Sequence, residues 1–253
     1  RDRKTLWIAR SHFLRISGRI QEARQHSLDD LLSSTSDRID PNMPSSTNDS
    51  PQNTSIQQED ETTQLLEADV YFEQGNIEEN ESLFPKALSK YEQARAIYEQ
   101  LEHPKRIATV LLKIGGVHRS MGDYDQALHA FESTLEIATH HDIPLLRADT
   151  LTEIGKIHVR NGEYRSAVEQ FEPSLEIAMT FDDLFRQERN LGSMGVALAS
   201  LGEYDRAIEL DLKAIAINRK VGNRRNESTM VGNVGNLYSA LGQYDKALSN
   251  IEL

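Results

Sequence analysis

With no cysteine in the chain, its chemistry would rest on histidine, carboxylate, amide and hydroxyl groups. That absence removes disulfides, thiolate metal sites and cysteine nucleophiles together. The densest group of metal-ligating types is His140-His141-Asp142. It falls in a polar connection, where a donor or cationic side chain is expected to close the end of a helix. The His-Glu-x-x-His run that sets two imidazoles on one helix face does not occur. No glycine-rich loop follows a strand-like run, so no phosphate cradle is expected. A Ser-His-Asp arrangement has no sheet to hold it. The expectation is a chain without catalytic residues, metal or cofactor.

Charge and hydropathy narrow the partners. The 253 residues carry 28 basic against 40 acidic groups, a net charge of −12. Phosphate binding calls for a basic face, so nucleic acid is not expected. No stretch approaches the roughly 20 consecutive apolar residues that span a bilayer, so no membrane partner is expected either. No secretory leader is recognisable, and a cytoplasmic location is expected.

The elements that would position any site come from an internal repeat. Gly-x-Tyr-x-x-Ala occurs at Gly122–Ala127, Gly162–Ala167, Gly202–Ala207 and Gly242–Ala247, each copy 40 residues after the last. Another glycine precedes each alanine by 12 residues: Gly115, Gly155, Gly195 and Gly235. One frame further back stand Gly75, Phe84 and Ala87. Leu111, Ile114, Gly115 and His118 recur as Leu151, Ile154, Gly155 and His158, then as Leu191, Met194, Gly195 and Leu198, then as Val231, Val234, Gly235 and Tyr238. Offsets of 0, 3, 4 and 7 put them on one helix face. Packing at that position accounts for His118 and His158. A second stripe, Ala127, Phe131, Thr134 and Leu135, or Ala167, Phe171, Ser174 and Leu175, makes a second helix. The unit is helix A, a tight turn, helix B and a polar connection.

Each repeated residue has an expected packing role. The A-helix glycines and Ala87, Ala127, Ala167, Ala207 and Ala247 are small where the helices cross. Gly122 and its equivalents close helix A in a left-handed conformation. Tyr124, Tyr164, Tyr204 and Tyr244 are expected to plug the gap beside the hairpin. Asp211 replaces the helix B aromatic, which suggests an exposed seam or a polar contact there.

The pattern resembles the tetratricopeptide repeat family: large apolar residue, Leu-Gly, aromatic, Gly-x-Tyr, Ala, aromatic, small. Its 40-residue period is similar to Pins/LGN-type adaptors and bacterial repeat arrays, and Gly232-Asn-Val-Gly-Asn-Leu-Tyr238 with Ala240–Ala247 carries that likeness most fully. The resemblance covers about residues 62–253. It implies an all-α, right-handed superhelical solenoid of antiparallel helix pairs. The first frame is degenerate, with Gln74 and Ser82 where Leu and Gly are usual and Pro85 opening its second helix.

Helix A residues not used in packing would line an inner groove. These include Lys113, Arg119, Glu153, Lys156, Arg160, Arg189, Ser193, Asn233 and Asn236. The resemblance implies that such a groove holds an extended peptide or helix of a protein partner. It also implies that Asn233 and Asn236, in an Asn-x-Gly-Asn pattern, contact the partner backbone, and amides suit this because each both donates and accepts. The Lys/Asn clamp of chaperone-adaptor domains is not expected. Its positions hold Phe72, Asn76 and Lys113, then the carboxylates Asp149 and Glu153. Arg219-Lys220 and Arg224-Arg225 form a basic connection, either solvated or a dock for an acidic segment.

Residues 1–33 read as one degenerate hairpin, with Trp7, Leu14, Gly18 and Ala23 at the repeat's spacing. Residues 34–63 are polar and read as a disordered linker or long loop. Residues 64–253 read as about 4.5 repeats: 68–107, 108–147, 148–187, 188–227 and a truncated 228–253. A basic hairpin could dock on the acidic run 59–81. Solenoids need a polar terminal cap, so the last helix B, with Ala247, Leu248 and Ile251, is expected to continue into further chain or to self-associate. The leading function is a non-enzymatic interaction scaffold. The alternative is the regulatory array of a larger signalling enzyme, a protease or nucleotide hydrolase.

Overall fold

The computed structural model describes residues 51–251, with side chains over 61–250. The expected hairpin over 1–33 and its docking on the acidic run lie outside the described residues. Ten helices and no strand are found among the described residues: α1 (Pro51–Asn80), α2 (Phe84–Gln100), α3 (Pro104–Met121), α4 (Tyr124–His140), α5 (Pro144–Asn161), α6 (Tyr164–Thr180), α7 (Leu184–Ser200), α8 (Tyr204–Val221), α9 (Arg224–Ala240) and α10 (Tyr244–Ile251). Helix A begins at Pro104, Pro144, Leu184 and Arg224, in strict 40-residue steps.

The 34–63 segment is not a loop throughout, because α1 begins within it at Pro51. Its Ser, Thr and Gln residues show no apolar period, but a helix already nucleated by a packed segment extends at little further cost.

Local chemistry explains where the helices stop. Gly162 and Gly222 cap α5 and α8 in the left-handed conformation, and Gly122, Gly202 and Gly242 also have positive φ. Ser82 stands where the later frames have glycine and still adopts φ 62°. A second left-handed position follows helix B at Glu102, Asp142 and Asp182 as well as Gly222. Pro85 and Pro144 sit in first turns, where a missing N–H is not needed. Asp183 and Asn223 cap α7 and α9, accepting from the backbone N–H of Arg186 and Asn226 at 2.9 and 3.3 Å.

The chain divides at Met121/Gly122 into two compact units. In the first, α2 packs against both α1 and α3. Tyr91 and Tyr98 are its largest buried groups. The Tyr91 hydroxyl lies 2.7 Å from Glu79 Oε2 and 2.9 Å from Asn76 Oδ1. Burial, then the Glu79 charge, pushes its pKa above the ordinary tyrosine range. Tyr98 donates to Asp69 at 2.7 Å, and Arg106 pairs with the same carboxylate.

In the second unit each helix from α4 to α10 packs on the next. Phe171 with Ala167, Met194 and Ala197 forms one core cluster. Leu198, Ala207, Ile208, Ile215, Val234 and Leu237 form another. Helix crossings are close at two of the A-helix glycines: a Cβ on Gly75 would meet the Tyr91 ring at 2.6 Å, and one on Gly155 the Phe171 ring at 2.5 Å, whereas at Gly235 the nearest atom is 3.9 Å away. Ala87, Ala127, Ala167 and Ala207 are fully buried. Tyr124, Tyr164 and Tyr204 are half-buried. Tyr244 differs, at 66% exposed, because among the described residues no further hairpin covers α10.

Candidate functional site

In the first unit, Lys113 on α3 reaches Glu79 on α1 at 3.4 Å, and Arg119 is half-buried two turns further on. In the second unit, Lys156 donates to Glu153 on the same helix at 2.6 Å, and Arg160 is exposed. Arg189 donates to Asp149 at 2.5 Å, and Arg186 forks onto the same carboxylate at 2.6 and 3.1 Å. A planar guanidinium suits such paired bonds. The Arg189 guanidinium also lies 5.8 Å from the centre of the Phe185 ring, which is 68% exposed. Ser193 spends its hydroxyl on the Arg189 carbonyl, 2.8 Å away. Lys113, Glu153, Lys156 and Arg189 are therefore engaged with opposite charges of the same chain.

Asn233 and Asn236 are placed differently. Both line a cavity of about 320 Å³ between α7 and α9, with Leu237 beside them and Val196, Ala199 and Ser200 on the opposite wall. Its floor is Gly195 and Asp211. Asp211 is neither an exposed seam nor a polar contact, as its type had suggested. It is 2% exposed, and its Oδ1 has no hydrogen-bond partner among the described residues. Burial pushes its pKa up to about 7. The frame explains this: the position lies beneath the A-helix glycine, as Tyr91 does under Gly75 and Phe171 under Gly155.

Two further polar sets escape a sequence reading. Thr152, Ser174 and Asn190 are fully buried and joined by bonds of 2.9 to 3.0 Å. Ser174 also donates to the Ala148 carbonyl at 2.7 Å. Glu188, itself buried, accepts from the amides of Asn218 and Asn226 at 3.1 and 3.2 Å. The signal for the first set was a run of small hydroxyls in core positions of consecutive helices.

The remaining candidates carry no site. His140, His141 and Asp142 are all exposed at the end of α4, with His141 as its C-cap residue. No group of three metal-ligating side chains capable of holding an ion occurs among the described residues. In the basic connection, Arg219 pairs with Glu227 at 2.6 Å. Among the described residues no helix is long and apolar enough to cross a membrane.

A family model described as tetratricopeptide repeat matches residues 60–140 and 187–252, more than half of the chain. The chain belongs to the tetratricopeptide repeat family. Repeats of this family typically act as protein-interaction scaffolds without catalysis. Residues 141–186, between the two matches, hold Pro173 inside α6 and the Thr152–Ser174 pair. No curated protein matches the sequence.

Solved structures share the fold. BtubC (BKLC) from P. vanneervenii superposes with a TM-score of 0.68 at 17% identity, covering 96% of this chain and 88% of that one. The tetratricopeptide sensor-bearing STAND ATPase PH0952 from Pyrococcus horikoshii gives 0.68 at 16%, covering 79% of this chain but 31% of its own. A Rap protein in complex with competence and sporulation factor gives 0.61 at 17%, over 98% and 74%.

Proposed function

We propose that this repeat protein binds an extended segment of a protein partner across the exposed face of α7 and α9. The observation that supports this most is the Asn233–Asn236 pair. The charged candidates Lys113, Lys156 and Arg189 are engaged with carboxylates of the same chain, whereas Asn233 and Asn236 border an open cavity. An amide that both donates and accepts can follow the alternating groups of a partner backbone. The 40-residue period supports grouping the chain with Pins/LGN-type adaptors. A peptide array probed with wild type and with the double variant Asn233→Ala/Asn236→Ala tests the site. Binding lost in the variant is the expected result, and equal binding by both proteins refutes the assignment.

A second reading is a sensor array within a larger signalling ATPase. It is favoured by the likeness to PH0952, of which this chain spans 31%. The reading frame on either side of the segment decides it: a nucleotide-binding domain there supports the sensor, and its absence refutes it.

A further inference from the structure

Along helix B one frame position is occupied in turn by Tyr91, Phe131, Phe171 and Asp211. Where the ring is present it fills the space beneath the A-helix glycine, as Phe171 does under Gly155. At the fourth frame the Asp211 carboxyl takes that place, with Oδ1 only 2.5 Å from where a Cβ on Gly195 would lie. A carboxyl is much smaller than a benzyl ring, and the cavity stands beside it.

Two other partly buried aspartates of this chain have cations. Asp69 has Arg106, and Asp149 has Arg186 and Arg189. The buried Glu188 is satisfied by two amides instead. Among the described residues Asp211 has neither kind of partner. No residue lining its cavity is basic, and the bases nearest in sequence are committed elsewhere, Lys213 to Glu209 at 2.6 Å and Arg206 to Glu203. A buried carboxylate without a partner is costly, and an opposite charge within a few ångströms restores its ionised form.

We propose that this cavity receives an arginine side chain of the partner segment, its guanidinium meeting the Asp211 carboxylate while Asn233 and Asn236 accept from its outer N–H groups. Guanidinium presents five donors in a fixed fork, which matches one carboxylate and two amide oxygens. It is also more weakly hydrated than ammonium, which favours it at a desolvated floor. The assignment rests on the α7–α9 surface being the binding face, and it adds what that face selects.

The two ideas are separated by two probes applied to the full chain. The first is N-acetyl-arginine methylamide, followed through the side-chain amide resonances of Asn233 and Asn236, with the neutral isostere N-acetyl-citrulline methylamide beside it. The arginine probe is expected to give saturable shifts. At least tenfold weaker binding is expected for citrulline, and for arginine on Asp211→Asn. Equal responses to both probes overturn the assignment without depending on any variant, and an unchanged response in a folded Asp211→Asn protein overturns it too. The second probe is a random dodecamer peptide library. Selected peptides enriched in arginine, with the enrichment lost on Asp211→Asn, support the assignment. Selected peptides without that enrichment leave the scaffold standing and sink the arginine pocket. No selected peptide, with the capped arginine still binding, sinks the scaffold reading and leaves the pocket.

Discussion

Gly155 and Gly235 occupy the same position of the repeat, and alanine at each should act with opposite sign. In a helix interior, replacing Gly by Ala gains about 1 kcal/mol, because the unfolded chain has less freedom to lose. At Gly155 the new methyl would fall 2.5 Å from Phe171 Cε1. Phe171 is fully buried against Ala167, Met194 and Ala197, so the ring has nowhere to retreat. Overpacking of this kind costs about 1–3 kcal/mol, occasionally more, and the closeness of the contact puts it at the upper end. The net expectation for Gly155→Ala is a loss of about 2 kcal/mol. At Gly235 the nearest atom is the Ala247 carbonyl oxygen at 3.9 Å, an ordinary contact, so the helix gain stands at about 0.5–1 kcal/mol. Urea unfolding followed by circular dichroism gives the overall change. Repeat arrays also open locally between neighbours, so amide exchange in α5 and α9 should be read alongside. Shifts of the same sign for both variants, in midpoint and in exchange, would refute the reasoning.

Asp211 makes stability depend on pH. Its folded pKa, about 7, lies above that of a free carboxyl, so the unfolded chain releases the proton first and stability is lost as pH rises from about 4 through 7. The loss should be on the order of a few kcal/mol, and thermal melts at pH 5 and 8 should show it shrinking in Asp211→Asn. Asp211→Phe restores the ring of the other frames and should raise the pH 8 midpoint above wild type; a lower midpoint would show that the cavity cannot accept it. Asn190→Ala removes the amide bonds to Thr152 and Ser174, whose hydroxyls keep the Ala148 carbonyl, and should cost about 1–2 kcal/mol. The combined Thr152→Val/Ser174→Ala/Asn190→Leu variant should lose less than the sum of its single changes, as urea midpoints would reveal. Pro173→Gln returns an N–H to the interior of α6 and should stabilise by about 1–3 kcal/mol, a higher melting temperature being the readout.

Helix pairing, the glycine turns and the crossing of small against aromatic residues could be read in the sequence, because each depends on spacing along one helix. Gly155 over Phe171 is such a case: a missing side chain in one stripe and a ring in the next announce a close approach. What could not be read depends on residues far apart or on the absence of a stripe. The start of α1 at Pro51 was hidden because a helix can run on beyond its packed face without an apolar period. The left-handed turn after helix B was masked by Glu102, Asp142 and Asp182, where only Gly222 has the expected type, although aspartate tolerates that conformation better than most residues. The clasp of Asp149 by Arg186 spans 37 residues and leaves no local trace. For Asp211 the sequence revealed the substitution but not its environment, since burial at that position is set by Gly195 on another helix.

The Asp69–Arg106 and Asp149–Arg186 clasps use the same register positions two repeats apart. The frame after the second clasp has Arg189 and Asn226 at those positions. The clasp therefore recurs after two repeats rather than one. Excising residues 144–183 would remove Asp149, the partner of Arg186. Excising 104–183 would set it in register with Asp69 and keep the clasp. Duplication or trimming of this array, by nature or by design, should proceed more smoothly in double steps.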